Sequence, residues 1–318
     1  MKVLLTGASG FVGNAILAMT KQRDLLVAPV FRSLDAAKTC GYAPDSCVII
    51  SSLVAETNWQ EALSGIDVVI HCAARTRVLN ETEVDPLAIF RLVNVEGALN
   101  LARQAAQAGV RRFVFVSSIK VNGEAPLLGH PFKADDAPAP EDAYGISKAE
   151  AEAGLLQIAK ETGMEVVIIR PPLVYGRGAK GNFASLLAWV RRGLPLPLGA
   201  VTQNRRSLVA LDNLVDLILT CVQHPKAANQ TFLVSDGEDL STTELLQRMG
   251  KAMNRPARLL PVPVSLLVFA ARLLGKKAVA QRLLGSLQVD ISKTCELLDW
   301  KPPVSVDEGL RRAVQQRL

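Results

Sequence analysis

Short apolar runs separated by helical stretches fill the first half of the chain, and this alternation constrains the fold more than any other feature. The runs are apolar almost throughout, as in parallel strands that are covered on both faces. Helical stretches such as Pro86–Ala108 and Ala143–Thr162 lie between them. Strand–helix alternation predicts an α/β fold with a doubly wound parallel sheet. The predicted strands are Lys2–Leu5, Leu25–Phe31, Cys47–Ile50, Asp67–His71, Arg112–Ser117 and Glu165–Arg170.

The pattern changes after Arg170, where Pro171 and Pro172 break the last of these strands. Further strands are predicted at Ser207–Leu211 and Thr231–Val234, and we expect both to return to the sheet. The remaining C-terminal part is predicted to be mostly helical. The predicted division is a sheet domain over 1–171, completed by about 207–234, and a smaller, mostly helical lobe over 172–206 and 235–318.

A glycine-rich turn, Thr6-Gly7-Ala8-Ser9-Gly10-Phe11-Val12-Gly13, follows the first strand and opens a helix. Gly7 lets the chain turn tightly, Gly10 lets the backbone approach a pyrophosphate, and Gly13 permits close helix–strand packing. The N–H groups that begin the helix attract phosphate. In this position the pattern predicts a Rossmann-type, NAD(P)-binding domain; a phosphate-free structural turn is the alternative. The predicted contacts are Gly7, Ser9, Gly10, Phe11, Val12 and Gly13.

The residues that follow the second and third strands bear on the choice of cofactor. Dinucleotide sites commonly place an acid at the end of the second strand to bond the adenosine ribose. Here Arg32 and Ser33 stand there without an acid, and they can hold a 2′-phosphate. This favours NADP(H) over NAD(H), although a solvated loop cation is the alternative for Arg32. Ser52 and Leu53, after the third strand, are predicted to contact the cofactor.

A tyrosine and a lysine four residues apart carry the predicted chemistry. Tyr144 and Lys148 share one face of a predicted helix. A phenol of ordinary pKa about 10 is a poor base at neutral pH, and a neighbouring ammonium favours the phenolate. Such a phenol exchanges a proton with a substrate while hydride moves to or from a nicotinamide. A plain surface pair is the alternative, but Ser117 and Ser118 end a strand and supply a hydroxyl.

Several motifs in a fixed order extend this pattern along the chain. On their residues, the chain resembles an extended short-chain dehydrogenase/reductase of the sugar-nucleotide epimerase, dehydratase and reductase group. The resemblance runs from end to end. Besides the glycine turn, its motifs are His71-Cys72-Ala73-Ala74, Asn94-Val95-Glu96-Gly97, Val116-Ser117-Ser118, Tyr144-Gly145-Ile146-Ser147-Lys148, Arg170-Pro171-Pro172-Leu173-Val174-Tyr175-Gly176 and Leu298-Asp299-Trp300-Lys301-Pro302.

The resemblance implies a catalytic set of Ser118, Tyr144 and Lys148, of which Tyr144 and Lys148 also face the cofactor. Ser118 is chosen over Ser117 by its distance to Gly123 in the family's Ser-x-x-x-x-Gly pattern. The further cofactor contacts that it implies are Ala73, Ala74, Asn94, Val116, Pro171, Leu173 and Val174. Asn94 is expected to serve the structure as well, through a bond to strand backbone.

The residues around Ser118 also bear on the reaction. The family's 4,6-dehydratases carry an Asp-Glu pair where this chain has Ile119-Lys120. Its UDP-galactose 4-epimerases have Tyr and Asn at the positions of Asn122 and Leu173. The resemblance therefore favours a 4-ketoreductase that makes a UDP-6-deoxy-N-acetylhexosamine, such as UDP-N-acetylquinovosamine, for surface polysaccharide. The alternatives are a 4-epimerase of a UDP-sugar or polyprenyl-diphosphate-linked N-acetylhexosamine and, from another class, a catalytically silent NADP(H)-sensing regulator.

The nucleotide-sugar substrate needs cations and N–H donors for its diphosphate. Arg206 matches the family's diphosphate arginine, with a loop cation beside Arg205 as the alternative. Asn182 matches an asparagine that contacts the same group. Arg75 and Arg77 follow the fourth strand and are candidate sugar contacts or surface charges.

The amino-acid composition excludes some classes of protein and indicates the kind of ligand. Hydrophobic residues at 49% and charged residues at 21% exclude a disordered chain. The net charge of +6 favours anionic small molecules or an acidic surface, not specifically nucleic acid. Five scattered cysteines predict free thiols in a cytoplasmic protein, and three separated histidines predict no metal site.

The resemblance also implies a homodimer. No membrane-spanning segment is expected, because the longest uncharged run, Val3 to Thr20, is too polar and glycine-rich. The stretch Ser265–Leu284 is apolar with interspersed cations. A basic amphipathic helix on an anionic membrane is one interpretation, and a core or dimer-covering helix pair is the other.

Overall fold

The computed structural model describes residues 1–20, 25–76, 85–127 and 129–315. In this part of the chain, seven strands form one parallel sheet in the order β3-β2-β1-β4-β5-β6-β9, and three form a second, small sheet. The doubly wound sheet predicted from the sequence is confirmed. In chain order the strands are β1 (Lys2–Thr6), β2 (Leu26–Phe31), β3 (Val48–Ile49), β4 (Val68–His71), β5 (Arg112–Val116), β6 (Glu165–Arg170), β7 (Leu173–Tyr175), β8 (Arg206–Ala210), β9 (Gln230–Leu233) and β10 (Asp239–Leu240).

Helices cover both faces of the large sheet and make up most of the C-terminal part, as predicted. The stretch predicted as one helix over Pro86–Ala108 is helical, but a π-helical turn over Leu92–Gly97 interrupts it. None of the described helices is both long and apolar enough to cross a membrane. The helices are α1 (Phe11–Thr20), α2 (Leu34–Thr39), α3 (Pro86–Arg91), α4 (Ala98–Gln107), α5 (Ala143–Thr162), α6 (Asn182–Arg192), α7 (Leu211–Gln223), α8 (Thr242–Ala252), α9 (Val264–Leu273), α10 (Lys277–Leu284), α11 (Ser292–Leu298) and α12 (Val306–Val314).

Two apolar cores explain why the strands are apolar on both faces. Successive side chains of a strand point to opposite faces. Val3 and Leu5 of β1 therefore lie in one core, which α1 and α7 cover. Leu4 lies in the other core, which α4 and α5 cover. A polar residue on either face is buried and needs a partner within the protein, as Thr6 has in His71.

The prediction that Ser207–Leu211 returns to the large sheet was wrong. β8 pairs instead with β7, with Leu173 opposite Leu208, and with β10. The strand's side chains alternate between two cores: Leu208 and Ala210 lie in the core of the C-terminal part, and Val209 lies in a core of the large sheet. An apolar run therefore does not reveal which sheet it joins. The predicted strand Thr231–Val234 does join the large sheet, as β9; the residue bounds of the two parts stay a prediction.

Candidate active site

The turn after β1 brings backbone close to where β4 ends. Gly7 has φ of 72°, and a Cβ atom on it would lie 2.7 Å from the backbone nitrogen of Ala73. The N–H of Gly10 donates to the Gly7 carbonyl oxygen at 2.8 Å, and a Cβ atom on Gly13 would collide with that oxygen. Gly7 and Gly13 therefore need glycine, and the first N–H groups of α1 stand at the same edge.

A cavity of about 610 Å³ opens beside this turn. No Asp or Glu of the described residues lines it, and the wall includes two guanidinium groups. Most of the predicted cofactor contacts of the first half line it: Gly7, Ser9, Gly10, Arg32, Ser52, Leu53, Ala73 and Ala74. Arg75, a candidate sugar contact, lines it as well. Phe11, Val12 and Gly13 form the first turn of α1 behind it.

Arg32 and Ser33, which follow β2, have different surroundings. The Arg32 side chain is exposed at the mouth of the cavity. The Ser33 hydroxyl accepts a hydrogen bond from the N–H of Ala36 at 3.2 Å and caps α2. Ser33 thus orders the helix, and Arg32 is the cation that faces the cavity.

Sequence reasoning missed Trp59, which lines the same cavity and is 1% exposed. Its indole N–H has no hydrogen-bond partner in the described part of the chain, whereas its backbone N–H donates to Gln104 at 2.7 Å. A buried unpaired donor is costly. The glycine cradle, the guanidinium groups and this donor fit a dinucleotide cofactor. No spacing in the sequence signals Trp59.

Lys148 is buried beneath the carboxyl end of β5. Its ammonium donates to the carbonyl oxygen of Val116 at 2.8 Å and lies 4.0 Å from the centre of the Phe115 ring. Burial lowers the pKa of Lys148 to about 8, and the nearby Glu152 and Cys72 oppose the shift. The lysine therefore titrates close to the physiological range.

Tyr144 stands one turn before Lys148 on α5, and its ring packs edge-on against Phe90 with 5.9 Å between ring centres. The sequence led us to expect a neighbouring ammonium to favour the phenolate. The structure gives the opposite direction: burial, with a smaller contribution from Asp142, raises the pKa of Tyr144 to about 12. The phenol is thus held protonated at neutral pH.

The two serines after β5 have different partners. Ser117 is buried and its hydroxyl donates to Glu152. Ser118 is half-buried, and its hydroxyl oxygen accepts a long hydrogen bond, 3.3 Å, from the N–H of Lys120. The Ser117 proton is therefore engaged within the protein, while Ser118 caps the turn at the end of β5.

Arg170 and Glu152 form a buried ion pair that the sequence reasoning did not identify. The pair supports the serine segment, because Glu152 also accepts from Ser117. The guanidinium of Arg170 donates to Glu152 at 2.6 Å and to the side-chain oxygen of Asn122 at 3.0 Å. The amide of Asn122 in turn donates to the carbonyl oxygen of Lys133 at 2.9 Å. In the sequence, Asn122 is one of the two positions that distinguish the chain from UDP-galactose 4-epimerases. In the structure it belongs to the hydrogen-bond network that holds the site in place.

Asn94 joins three segments around the site. Its side-chain oxygen accepts from the N–H of Arg75 at 2.8 Å, and its amide donates to the Arg75 carbonyl and the Ser147 hydroxyl, both at 3.0 Å. The expected backbone bond of Asn94 is present, and it lies in the segment after β4. Its contact with the cofactor stays a prediction.

The candidate substrate residues lie on the side of the small sheet. Arg206 begins β8 and donates to the Gly285 carbonyl oxygen at 3.0 Å. Burial lowers the pKa of Arg206, with Glu124 opposing the shift. Asn182 is exposed at the start of α6. Arg77 lies outside the described residues.

The chain returns from β6 to the site through Pro171, Leu173 and Val174. The Pro171 carbonyl oxygen accepts from the N–H of Ile119 at 3.0 Å, which joins this segment to the one after Ser118. Leu173 and Val174 are half-buried in β7. The backbone that is predicted to meet the nicotinamide therefore lies directly beside the serine turn.

Comparisons with known proteins agree with this arrangement. The chain is 49% identical over 314 residues to a UDP-glucose 4-epimerase of Vibrio cholerae, across 98% of this chain and 94% of that one. It is 28% identical to an undecaprenol-linked N-acetylglucosamine 4-epimerase of Escherichia coli O157:H7, across 98% and 94%. The fold matches UDP-N-acetylglucosamine 4-epimerase of Bacillus cereus with a TM-score of 0.79 at 19% identity, across 98% and 97%.

A family-level match covers most of the chain. The NAD dependent epimerase/dehydratase family matches residues 3–235, which include the glycine turn, the Ser118 segment and the Tyr144–Lys148 helix. The chain therefore belongs to this family of extended short-chain dehydrogenase/reductases and is an NAD(P)-dependent enzyme of the sugar-nucleotide epimerase/dehydratase type.

Proposed function

We propose that the enzyme is an NADPH-dependent 4-ketoreductase that acts on a UDP-linked 4-keto-6-deoxy-N-acetylhexosamine. We prefer reduction to epimerisation because of one observation. Arg32 faces a cofactor cavity, and no carboxylate of the described residues lines that cavity. A guanidinium suits a 2′-phosphate, whereas an acid would repel it. NADPH is consumed in a reduction, while a 4-epimerase regenerates its nucleotide in each cycle.

In a reduction, the protonated Tyr144 phenol has the role of the acid. Reduction of a ketone adds a hydride to carbon and a proton to oxygen, and the reduced nicotinamide supplies the hydride when it is bound. Tyr144 holds its proton at neutral pH and gives it to the C4 oxygen. The Lys148 ammonium stabilises the phenolate that remains, and the Ser118 hydroxyl orients the carbonyl oxygen.

The remaining predicted contacts have distinct proposed roles. The glycine turn and the start of α1 bind the pyrophosphate through Gly7, Ser9, Gly10, Phe11, Val12 and Gly13. Arg32 and Ser33 bind the 2′-phosphate, and Ser52 and Leu53 contact the adenine. Ala73, Ala74, Asn94, Val116 and Pro171 also contact the cofactor, and the backbone near Leu173 and Val174 meets its nicotinamide.

For the substrate, Arg206 and Asn182 bind the diphosphate and Arg75 contacts the sugar. The half-buried Arg206 is well suited to this task, because a charge in a poorly hydrated site binds an anion strongly. We further propose that the enzyme works as a homodimer in the cytoplasm, where its five free cysteines remain reduced.

A 4-epimerase is the second candidate, and the 49% identity to a UDP-glucose 4-epimerase favours it. It would use the same Ser118, Tyr144 and Lys148, with Tyr144 acting first as base and then as acid. That role requires the Tyr144 pKa to fall well below about 12 when the oxidised cofactor binds.

A substrate comparison tests the proposal. Purified protein is given UDP-N-acetylglucosamine alone and, separately, a UDP-4-keto-6-deoxy-N-acetylhexosamine with NADPH. Oxidation of NADPH with the keto-sugar, lost in Tyr144→Phe, is the expected result. Conversion of UDP-N-acetylglucosamine without added nucleotide would reject the reductase in favour of the epimerase. NADPH binding without turnover of either sugar would favour a regulator.

A further inference from the structure

Helices α9 and α10 form a hairpin on the surface of the C-terminal part. Gly275, with φ of 66°, forms the turn between them. The helices pack mainly against each other, and none of their residues is fully buried. Leu267, Leu283 and Leu284 are the side chains that connect the hairpin to the neighbouring core.

The helix α9 is apolar on its outward face as well as its inward face. Leu266, Phe269 and Leu273 recur at the spacing of one helix face and are 55%, 59% and 72% exposed. Leu267 and Ala271 face inward, where they line an apolar cavity of about 390 Å³ between the hairpin and the end of α6. A helix of an ordinary protein surface presents polar residues outward, so this second apolar stripe is unexplained by the fold.

The segment of the sequence that contains the hairpin is rich in cations. Residues 245–289 contain eight Lys or Arg and no Asp or Glu, while the rest of the chain contains 28 Lys or Arg and 30 Asp or Glu. This segment therefore accounts for the whole positive net charge. Four exposed cations lie on the hairpin and pair with no carboxylate of the described residues: Arg272, Lys276, Lys277 and Arg282.

We propose that the α9–α10 hairpin is a docking face for an anionic lipid bilayer. The stripe of Leu266, Phe269 and Leu273 enters the boundary between headgroups and acyl chains, and the surrounding cations contact lipid phosphates. Apolar stripes bordered by Lys and Arg bind such surfaces by burying apolar area and by electrostatic attraction.

Charge argues for a bilayer over a second copy of the chain. A two-fold interface brings the same patch of both copies together. It would place the four hairpin cations of one copy near the four of the other, with no acid in the segment to separate them. An anionic bilayer satisfies both the apolar stripe and the cations.

Sedimentation with vesicles tests the proposal. The full chain is mixed with vesicles of phosphatidylcholine alone, or of phosphatidylcholine and phosphatidylglycerol in equal parts. Binding is expected only to the anionic vesicles, and it should weaken strongly at 1 M salt, where the screening length is about 3 Å. The triple variant Arg272→Gln, Lys276→Gln, Lys277→Gln should bind roughly a hundredfold more weakly.

A matched variant separates this effect from net charge. Lys38→Gln, Lys226→Gln and Lys301→Gln remove three exposed cations elsewhere and should leave vesicle binding unchanged. The double variant Phe269→Gln, Leu273→Gln should also lose binding while keeping its melting temperature. Equal loss in the two triple variants, or no binding of the unaltered chain to anionic vesicles, would overturn the proposal. So would a dimer that the double variant converts to monomers without any vesicle binding.

Discussion

The ammonium of Lys148, on α5, donates to the carbonyl oxygen of Val116, at the end of β5, at 2.8 Å. This bond ties the helix that carries Tyr144 to the sheet edge that carries Ser118. It also holds a charge in a buried place, where the pKa of Lys148 falls to about 8. The proton of Lys148 is therefore easily lost, and the reaction should be sensitive to it.

Activity should fall on the alkaline side because Lys148 acts in its protonated form. Below its pKa of about 8 the lysine is charged, and above that value it becomes neutral. We expect kcat, at saturating substrate, to be level near neutral pH and then to decrease about tenfold per pH unit well above pH 8. A rate that stays level up to pH 10 would contradict the assignment.

Glu152 should act on the reaction through Lys148, because its carboxylate raises the pKa of that lysine. Glu152→Gln removes the charge, so the alkaline limb of kcat should move to lower pH. It also breaks the buried pair with Arg170 and should cost about 3–5 kcal/mol of stability. Glu152→Asp keeps the charge, so the alkaline limb of its kcat profile should lie close to that of the unaltered enzyme.

Glu165→Gln is the matched control for lost stability. It removes a carboxylate that pairs with the buried Arg112, at the opposite end of β6 from the site. Its melting temperature should fall while its pH profile stays unchanged. An equal shift of the profile in both variants would show that Glu152 has no specific role in positioning the charge of Lys148.

Substitution of the two neighbouring serines should have different effects, one on catalysis and the other on stability. Ser118→Ala removes the hydroxyl proposed to meet the substrate, and kcat should fall by about a hundredfold with little change in melting temperature. Ser117→Ala leaves Glu152 without one of its donors and should cost about 1–3 kcal/mol of stability. If Ser117→Ala abolishes turnover of the folded protein while Ser118→Ala does not, the roles are reversed.

Arg32 should distinguish the two nicotinamide cofactors. A hydrogen bond to a charged group contributes about 1.5–3 kcal/mol, so Arg32→Ala should raise KM for NADPH at least about tenfold and change KM for NADH little. Lys38→Ala, another exposed cation in the helix that follows, is the control and should affect neither. Equal changes for the two cofactors in Arg32→Ala would reject a 2′-phosphate contact.

The sequence predicted the large sheet well, because strands buried on both faces have a pattern of their own. β8 was misplaced for the same reason: Leu208 and Val209 are both buried, but in different cores. The π-helical turn over Leu92–Gly97 has no known sequence signal comparable to a strand pattern. The sheet that β8 joins and the π-helical turn both depend on tertiary packing, which a local sequence pattern does not reveal.

At the site, the motifs predicted the glycine turn and the positions of Ser118, Tyr144 and Lys148 relative to the sheet edge. They did not predict the pKa direction of Tyr144, because that depends on burial and not on the spacing to Lys148. Glu152 stands four residues after Lys148, and this spacing was the available signal for its role. Its partner Arg170 comes from a different element, so the pair was visible only in the structure.

Deuterium labelling tests whether the enzyme consumes NADPH to reduce a C4 ketone. The UDP-4-keto-6-deoxy-N-acetylhexosamine is incubated with NADPH that carries deuterium at the transferable position, and the product is examined by NMR and mass spectrometry. We expect one deuterium at C4 and one NADP+ formed for each sugar reduced. Recovery of the keto-sugar without deuterium at C4 and with no NADPH oxidised would contradict reduction, and so would release of a C4 epimer when UDP-N-acetylglucosamine is supplied in its place.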